Sequence, residues 1–186
     1  MGHNNQSNVV TDNLILRNAK REDIASLVDL AARSFRDAFA SENAKQDIDA
    51  YIGSAFTLEK FQEEFDTPNN IFLVACSGAS DNPVGYAKLR LSSRNSSVAS
   101  ESCMELERLY ADSAVIGRGI GAALMRECIE RATSLDCEVI WLGVWEKNDR
   151  AIRFYERHGF TTVGKHTFTL GTDIQNDLIM CKSLEK

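Results

Sequence analysis

The segment 103–135 constrains the fold of this chain more than any other. Residues 103–111 read as a strand, Gly117-x-Gly119-x-Gly121 makes a glycine turn, and 119–135 reads as a helix with Ile120, Leu124, Cys128 and Leu135 on one face. The next run, 138–145, is apolar on both faces, Val139 and Trp141 against Ile140, Leu142 and Val144, as befits a strand inside a sheet. Strand, helix and strand in that order predict a crossover between parallel neighbours.

The remaining elements are placed around that unit. Residues 14–17 read as a short strand. Ile24, Leu27, Val28, Ala31, Phe35, Ala38 and Phe39 recur at helical spacing, so 22–39 reads as an amphipathic helix. Residues 44–66 predict two short helices broken near Gly53. Runs 71–76 and 83–91 predict a hairpin across the turn 77–82, and the Ser-rich stretch 92–102 predicts a mobile loop. Beyond the crossover, 149–158 reads as a helix, and 160–170 and 173–181 as strands joined at Gly171-Thr172. Interleaved helices and strands predict an α/β fold with a mixed sheet covered by helices.

Length and charge narrow the function. A chain of 186 residues can bury one full core, expected over 14–186. Residues 1–13 are polar and Asn-rich, without the basic start and apolar run of a signal peptide, and predict a flexible arm. No apolar stretch approaches the roughly 20 residues that span a bilayer, so no membrane association is expected. A formal net charge of −6 disfavours nucleic acid as a partner and steers cationic small molecules or basic peptides inward. Cys76, Cys103, Cys128, Cys137 and Cys181 are scattered and form no C-x-x-C, which predicts reduced thiols in the cytoplasm. His3, His158 and His166 do not cluster with them, and no metal site is predicted.

The glycine turn carries the strongest chemical signal. Glycines between a strand and a helix let the backbone turn tightly and let a bulky anion approach the main chain. The first N–H groups of the helix lack partners within it, and the helix dipole favours negative charge there. A phosphate or pyrophosphate is the natural occupant; a glycine-rich helix start with no ligand is the plain alternative. The dinucleotide fingerprint fails because the third glycine comes one residue early, and a P-loop would need Gly-Lys-Ser/Thr.

Leu109-Tyr110-Ala111-Asp112 followed by Ile116-Gly117-Arg118-Gly119-Ile120-Gly121-Ala122-Ala123-Leu124 resembles the acetyl-CoA motif of the GNAT N-acetyltransferase family. Asn148-x-x-Ala151-Ile152-x-Phe154-Tyr155-x-x-x-Gly159-Phe160 resembles its second hallmark, and the early strand and helix resemble its N-terminal pattern. The likeness spans residues 14–183. It implies one GNAT-like domain with a mixed, mostly antiparallel twisted sheet of about six to seven strands flanked by about four to five helices. It also implies acetyl-CoA as cosubstrate, bound by Leu109, Tyr110, Ala111, Ile116, Gly117, Arg118, Gly119, Ile120, Gly121 and Asn148. The chain departs from the family at Ile116, where Gln or Arg is usual; that side chain is missing, while the amide donors of 116–121 are retained.

In this family an amine attacks the thioester directly. The amine, with an aqueous pKa of about 10, must first lose a proton, and the departing thiolate benefits from gaining one. The resemblance assigns the acid to Tyr155, against the alternative of a tyrosine that only packs. It assigns the base to Glu105 or Glu107, two residues apart on one face of the strand; an ion-paired face involving Arg108 or Arg90 is the competing account. The position that some relatives use on the next strand is Gly143, which cannot serve. Asn148 also suits a helix N-cap.

Trp141-Leu142-Gly143-Val144-Trp145-Glu146-Lys147-Asn148, with Gly164-x-His166-x-Phe168-x-Leu170-Gly171-x-Asp173-x-Gln175-x-Asp177, resembles the PaiA-type acetyltransferases of spermidine and spermine. The expected acceptor is a polyamine. Peptide or protein amines are the alternative, and a non-catalytic acyl-CoA-binding module is a third reading. The helices around Phe35, Asp37 and Tyr51 are expected to wall the cleft on one side and the 92–102 loop on another. A homodimer through an exposed sheet edge is open to such a fold.

Overall fold

The computed structural model describes residues 14–41, 43–78, 81–170 and 173–185. The expected arm over 1–13 and the Gly171-Thr172 turn lie outside them. In chain order the elements are β1 (Leu14–Asn18), α1 (Ile24–Phe39), α2 (Lys45–Ala55), α3 (Leu58–Asp66), β2 (Asn70–Ser77), β3 (Pro83–Leu91) and β4 (Cys103–Ala111). They continue with α4 (Ile120–Ser134), β5 (Val139–Trp145), α5 (Asp149–Arg157), β6 (Thr161–Leu170) and β7 (Asp173–Ser183). Among the described residues seven strands form one sheet in the order β1-β2-β3-β4-β5-β7-β6. Only β4 and β5 pair in parallel; every other neighbouring pair is antiparallel.

Each face of the sheet carries its own core. On one side α4 seats Ile120, Leu124, Met125, Cys128 and Ala132 on Leu73, Leu89, Met104, Leu106, Ile140 and Leu142, and α5 adds Ala151, Phe154 and Tyr155 at the margin. On the other side α1–α3 pack Leu27, Leu30, Phe35, Ile48, Phe56 and Phe61 against Phe72, Val74 and Tyr86. The alternation along β3 sends successive side chains to these two cores, whereas β5 sends Ile140, Leu142 and Val144 to the first and Trp141 to a smaller cluster with Cys103 and Ile179. No described helix is long and apolar enough to cross a membrane. All five cysteines are free.

Three local expectations shift. Gly53 sits inside α2 rather than breaking it, and the break falls at Thr57, whose Oγ1 accepts from the Lys60 N–H at 3.2 Å and caps α3. A capping hydroxyl outweighs one exposed glycine. A Cβ at Gly53 would meet nothing within 4 Å, so Gly53→Ala is expected to add about 0.5–1 kcal/mol of stability, read as a higher urea midpoint. Leu135 lies past the end of α4 and is 41% exposed, its place in the core taken by Met125 and Ala132.

The 92–102 loop is tied down rather than loose. Val98 is buried with Cys103, Trp141 and Ile179, the Ser93 carbonyl accepts from Trp141 Nε1 at 2.9 Å, and Ser100 Oγ donates to Glu138 at 3.0 Å. A serine-rich stretch thus covers Trp141 through one buried valine and a set of polar anchors.

Candidate active site

The parallel pair β4–β5 opens at its carboxyl end. Pairing covers Cys103↔Val139, Met104↔Ile140 and Glu105↔Trp141 and then stops, although β4 runs on to Ala111 and β5 to Trp145. The N-termini of α4 and α5 follow these two strands, so both lie at the end where the strands have parted. Ligands of open α/β sheets bind at such carboxyl ends, against helix N-termini.

The glycine turn is built for close approach. Asp112 Oδ1 accepts from the Ala114 N–H at 3.0 Å and starts a single 3-10 turn over Ser113–Val115. Gly117 (φ 85°) and Gly119 (φ 79°) then take left-handed backbone conformations, and a Cβ on either would meet nothing within 4 Å. That backbone favours glycine, and the space above it is open. Of the amides expected as donors, Ile116 N–H bonds Ser113 O at 3.3 Å and Arg118 N–H bonds Val115 O at 3.2 Å, so these two are engaged within the turn. Among the described residues no acceptor takes the N–H of Gly117 or Gly119, and Ile120 and Gly121 open the helix with free amides.

Gly121 has another task, since a Cβ there would lie 3.7 Å from the Phe154 ring, where α4 meets α5. Ile116 is 46% exposed beside the turn, and Arg118 makes no salt bridge among the described residues. Leu109 and Ala111 turn toward the α4 core, whereas Tyr110 points to the opposite side, its ring 5.7 Å from Tyr86. Gly85 on β3 presses this region together: a Cβ there would lie 3.0 Å from both Ile120 Cγ2 and Tyr110 O. Asn148 caps α5, its Oδ1 accepting from the Ala151 N–H at 3.1 Å.

The carboxylates of β4 lie in an ionic network on the α1–α3 side. The β3–β4 register slips between Lys88↔Arg108 and Leu89↔Leu106, making Glu107 the extra residue of a bulge. Glu107 therefore shares its side with both Glu105 and Arg108. Lys88, buried in the middle of β3, donates to Glu107 at 2.9 Å and pairs with Glu64 at 3.0 Å. Arg108 forks onto Glu64 at 2.7 and 2.8 Å, lies 3.1 Å from Glu107, and stacks over Phe56 and Phe61. Burial alone would raise the Glu64 pKa, but the Arg108 and Lys88 contacts outweigh it and hold the group below its ordinary value.

Glu105 sits at the edge of this network, joined to it through Arg90, which also approaches Glu107 at 3.5 Å. It accepts from Ser93 Oγ at 2.5 Å and from Arg90 at 3.3 Å, and burial pushes its pKa up against those two pulls. The ion-paired account of this face therefore holds for Glu107 and only partly for Glu105. Lys88 and Ser93 escaped sequence reasoning, although a lone lysine within an apolar strand was a visible signal for Lys88.

Tyr155 packs from α5 against the margin of the α4-side core, its ring 5.5 Å from Phe154 and 6.0 Å from Phe160. Burial pushes its pKa up to about 12, with nearby Cys128 adding to the shift, so the phenol keeps its proton across the neutral range. Tyr110 also rises through burial, with the Tyr51 and Tyr155 charges adding to the shift and Arg108 opposing it.

With that geometry in place, a profile of the acetyltransferase (GNAT) family matches residues 25–160. An uncharacterized N-acetyltransferase of Mycobacterium bovis is 33% identical over 163 residues, 87% of this chain and 98% of that one. A spermine/spermidine N(1)-acetyltransferase of Bacillus subtilis is 31% identical over 80 residues, 42% of this chain and 49% of its own length. The N-alpha-acetyltransferase RimI of Mycobacterium tuberculosis is 34% identical over 104 residues, 56% and 60% respectively. In fold, the chain is similar to PaiA N-acetyltransferase from Thermoplasma acidophilum, solved in complex with coenzyme A, at a TM-score of 0.72 and 22% identity, covering 92% of this chain and 99% of that one. The chain belongs to the GNAT acetyltransferase family. It is an acetyl-CoA-dependent N-acetyltransferase.

Proposed function

We propose that the protein acetylates a primary amine of a polyamine such as spermidine or spermine, by direct attack of the amine on acetyl-CoA held between β4 and β5. The observation that carries the reading is the parted seam itself. Two strands stop pairing at Glu105 and Trp141, free amides of Gly117, Gly119, Ile120 and Gly121 follow β4 at the open end, and Tyr155 is carried by α5, the helix that follows β5. Acetyl-CoA, when bound, supplies an activated thioester. Left-handed glycines with open space above them fit its pyrophosphate. Leu109–Ala111 of β4 and Asn148 at the head of α5 would flank the rest of the molecule.

Within this reading Glu105 takes the proton from the acceptor amine, directly or through water, and Tyr155 gives one to the departing thiolate. Glu105 suits the base better than Glu107, because its burial raises its pKa toward the working range while Glu107 is held by Lys88, Arg108 and Arg90. A base with a raised pKa predicts a turnover that falls as pH drops through that value. Glu105→Gln is expected to lower turnover and remove this acidic limb; a pH–rate profile with the limb intact would reject the role.

A polyamine acceptor is supported by the net charge of −6 and by an aromatic wall on the acceptor side. Phe39 lies 5.2 Å from Trp145, and Phe35 stacks on Phe39 and Tyr51 at 4.3 and 4.6 Å. Ring faces attract cations. The Bacillus spermine/spermidine relative supports the same class, and the RimI likeness supports a peptide N-terminus as the second reading. Thiol release from acetyl-CoA across spermidine, spermine, amino acids and alanyl peptides separates them, since turnover confined to peptides would overturn the polyamine assignment.

A further inference from the structure

We infer that Asp177 of β7 receives the ammonium group of the acceptor, an assignment that rests on the amine-acceptor reading above. On β5, Trp141, Gly143 and Trp145 face the α1–α3 side, and Gly143 has no side chain to present there. Asp177 Oδ2 lies 3.6 Å from the point a Cβ on Gly143 would occupy. Its register partners are Trp145 on β5 and His166 on β6. A carboxylate from the neighbouring strand thus fills the place that β5 leaves open next to the parted seam.

The surroundings are those of a cation site. Trp145 opposite Asp177 packs on Phe39, which continues through Phe35 to Tyr51. Asp177 is close enough for its charge to help raise the Tyr51 pKa, behind the larger effect of burial. A carboxylate bordered by aromatic faces recognises an ammonium by charge and by ring quadrupole together.

Asp177 also differs from the other acids on this side. Glu64, Glu105 and Glu107 each hold a lysine or arginine. Among the described residues Asp177 makes no salt bridge, and its half-buried carboxylate shows the consequence: burial pushes its pKa up, Glu146 adds to this, and His166 pulls it down. A charge withdrawn from water without a counterion is destabilising, and an arriving ammonium offsets that cost. Glu105 is then left to take the proton, while Asp177 holds and aims the group that bears it.

The test compares wild type with Asp177→Asn. Spermidine is titrated calorimetrically into each protein in the presence of CoA, and thiol release from acetyl-CoA is followed at varied spermidine. We expect the spermidine Kd and KM to rise about tenfold or more, with the Kd for CoA unchanged and kcat falling far less than kcat/KM. Asn preserves the size of the side chain, and intact CoA binding reports a folded protein. Gly143→Val, which fills the same space from β5, should raise the spermidine KM as well. Unchanged spermidine Kd and KM in both variants overturns the assignment. If wild type acts on an alanyl peptide and not on spermidine, the polyamine reading fails alone, and the same comparison on that peptide decides Asp177: a raised KM upholds it and an unchanged KM overturns it. A wild type that neither binds nor acetylates either amine overturns both.

Discussion

Tyr155→Phe is expected to lower kcat by roughly 10²–10⁴-fold, the usual contribution of a positioned general acid, and to leave acetyl-CoA affinity nearly unchanged. The substitution keeps the ring that packs near Phe154 and Phe160 and removes only the hydroxyl. With its pKa pushed up to about 12 by burial, that hydroxyl is protonated at every pH at which the enzyme would be assayed. In the proposed role, its loss deprives the departing thiolate of a ready proton and little else. Pre-steady-state measurement of the chemical step, beside calorimetric CoA binding, separates the two quantities. Equal turnover by Phe would reduce Tyr155 to a packing residue.

Gly119→Val should act on the other quantity. Gly119 holds φ at 79° as the residue that opens α4, a conformation that costs a branched residue on the order of 1–2 kcal/mol. Valine either bears that strain or rotates the turn, and both outcomes disturb the aim of the Gly117 and Gly119 amides. The expected result is a loss of at least about tenfold in acetyl-CoA affinity, one charge-assisted hydrogen bond being worth that much. The thermal shift that acetyl-CoA gives wild type should shrink accordingly. Gly53→Ala, within α2 and with open space around its Cβ, serves as the control that glycine replacement as such is harmless. A Gly119→Val protein with full affinity would remove the turn from the binding site.

Most of the fold was legible because its signals are local. Helical spacing over 22–39, the switch to strand patterning near 71 and the glycine turn at 117–121 each reside in a few consecutive residues. The crossover was legible for the same reason, with the parallel pair observed where strand, helix and strand follow one another. What eluded sequence reasoning depends on partners far along the chain. Leu135 continued a helical stripe, yet α4 had already ended, because a stripe does not register its own terminus. The 92–102 loop looked loose, since nothing in its serines reveals that Val98 would meet Trp141 and Ile179.

The site divides along the same line. The turn, Tyr155 and Asn148 lie in compact motifs that are visible in the sequence itself. The state of the two glutamates depends on Lys88, Arg90, Ser93 and Glu64, which come from one other strand, a loop and a helix. Alternation correctly placed Glu105 and Glu107 on one face, but the bulge that adds Arg108 to that face is a property of the β3–β4 register. Asp177 was visible as one residue in a C-terminal pattern; its meeting with Gly143 required knowing that β7 inserts between β5 and β6.

Three residue pairs join β4 to β5, against seven between β5 and β7. Mechanically, the sheet is two plates, β1–β4 and β5–β7, riveted along a short line. Thermal breathing should concentrate there, and amide exchange of the distal halves of β4 and β5 should be faster than that of β2 and β3. A ligand lying along the gap adds contacts to both plates at once and, by mass action, makes the endurance of the folded chain depend on how much of that ligand is present. The half-life of such a protein would rise and fall with the acetyl supply of the cell that makes it.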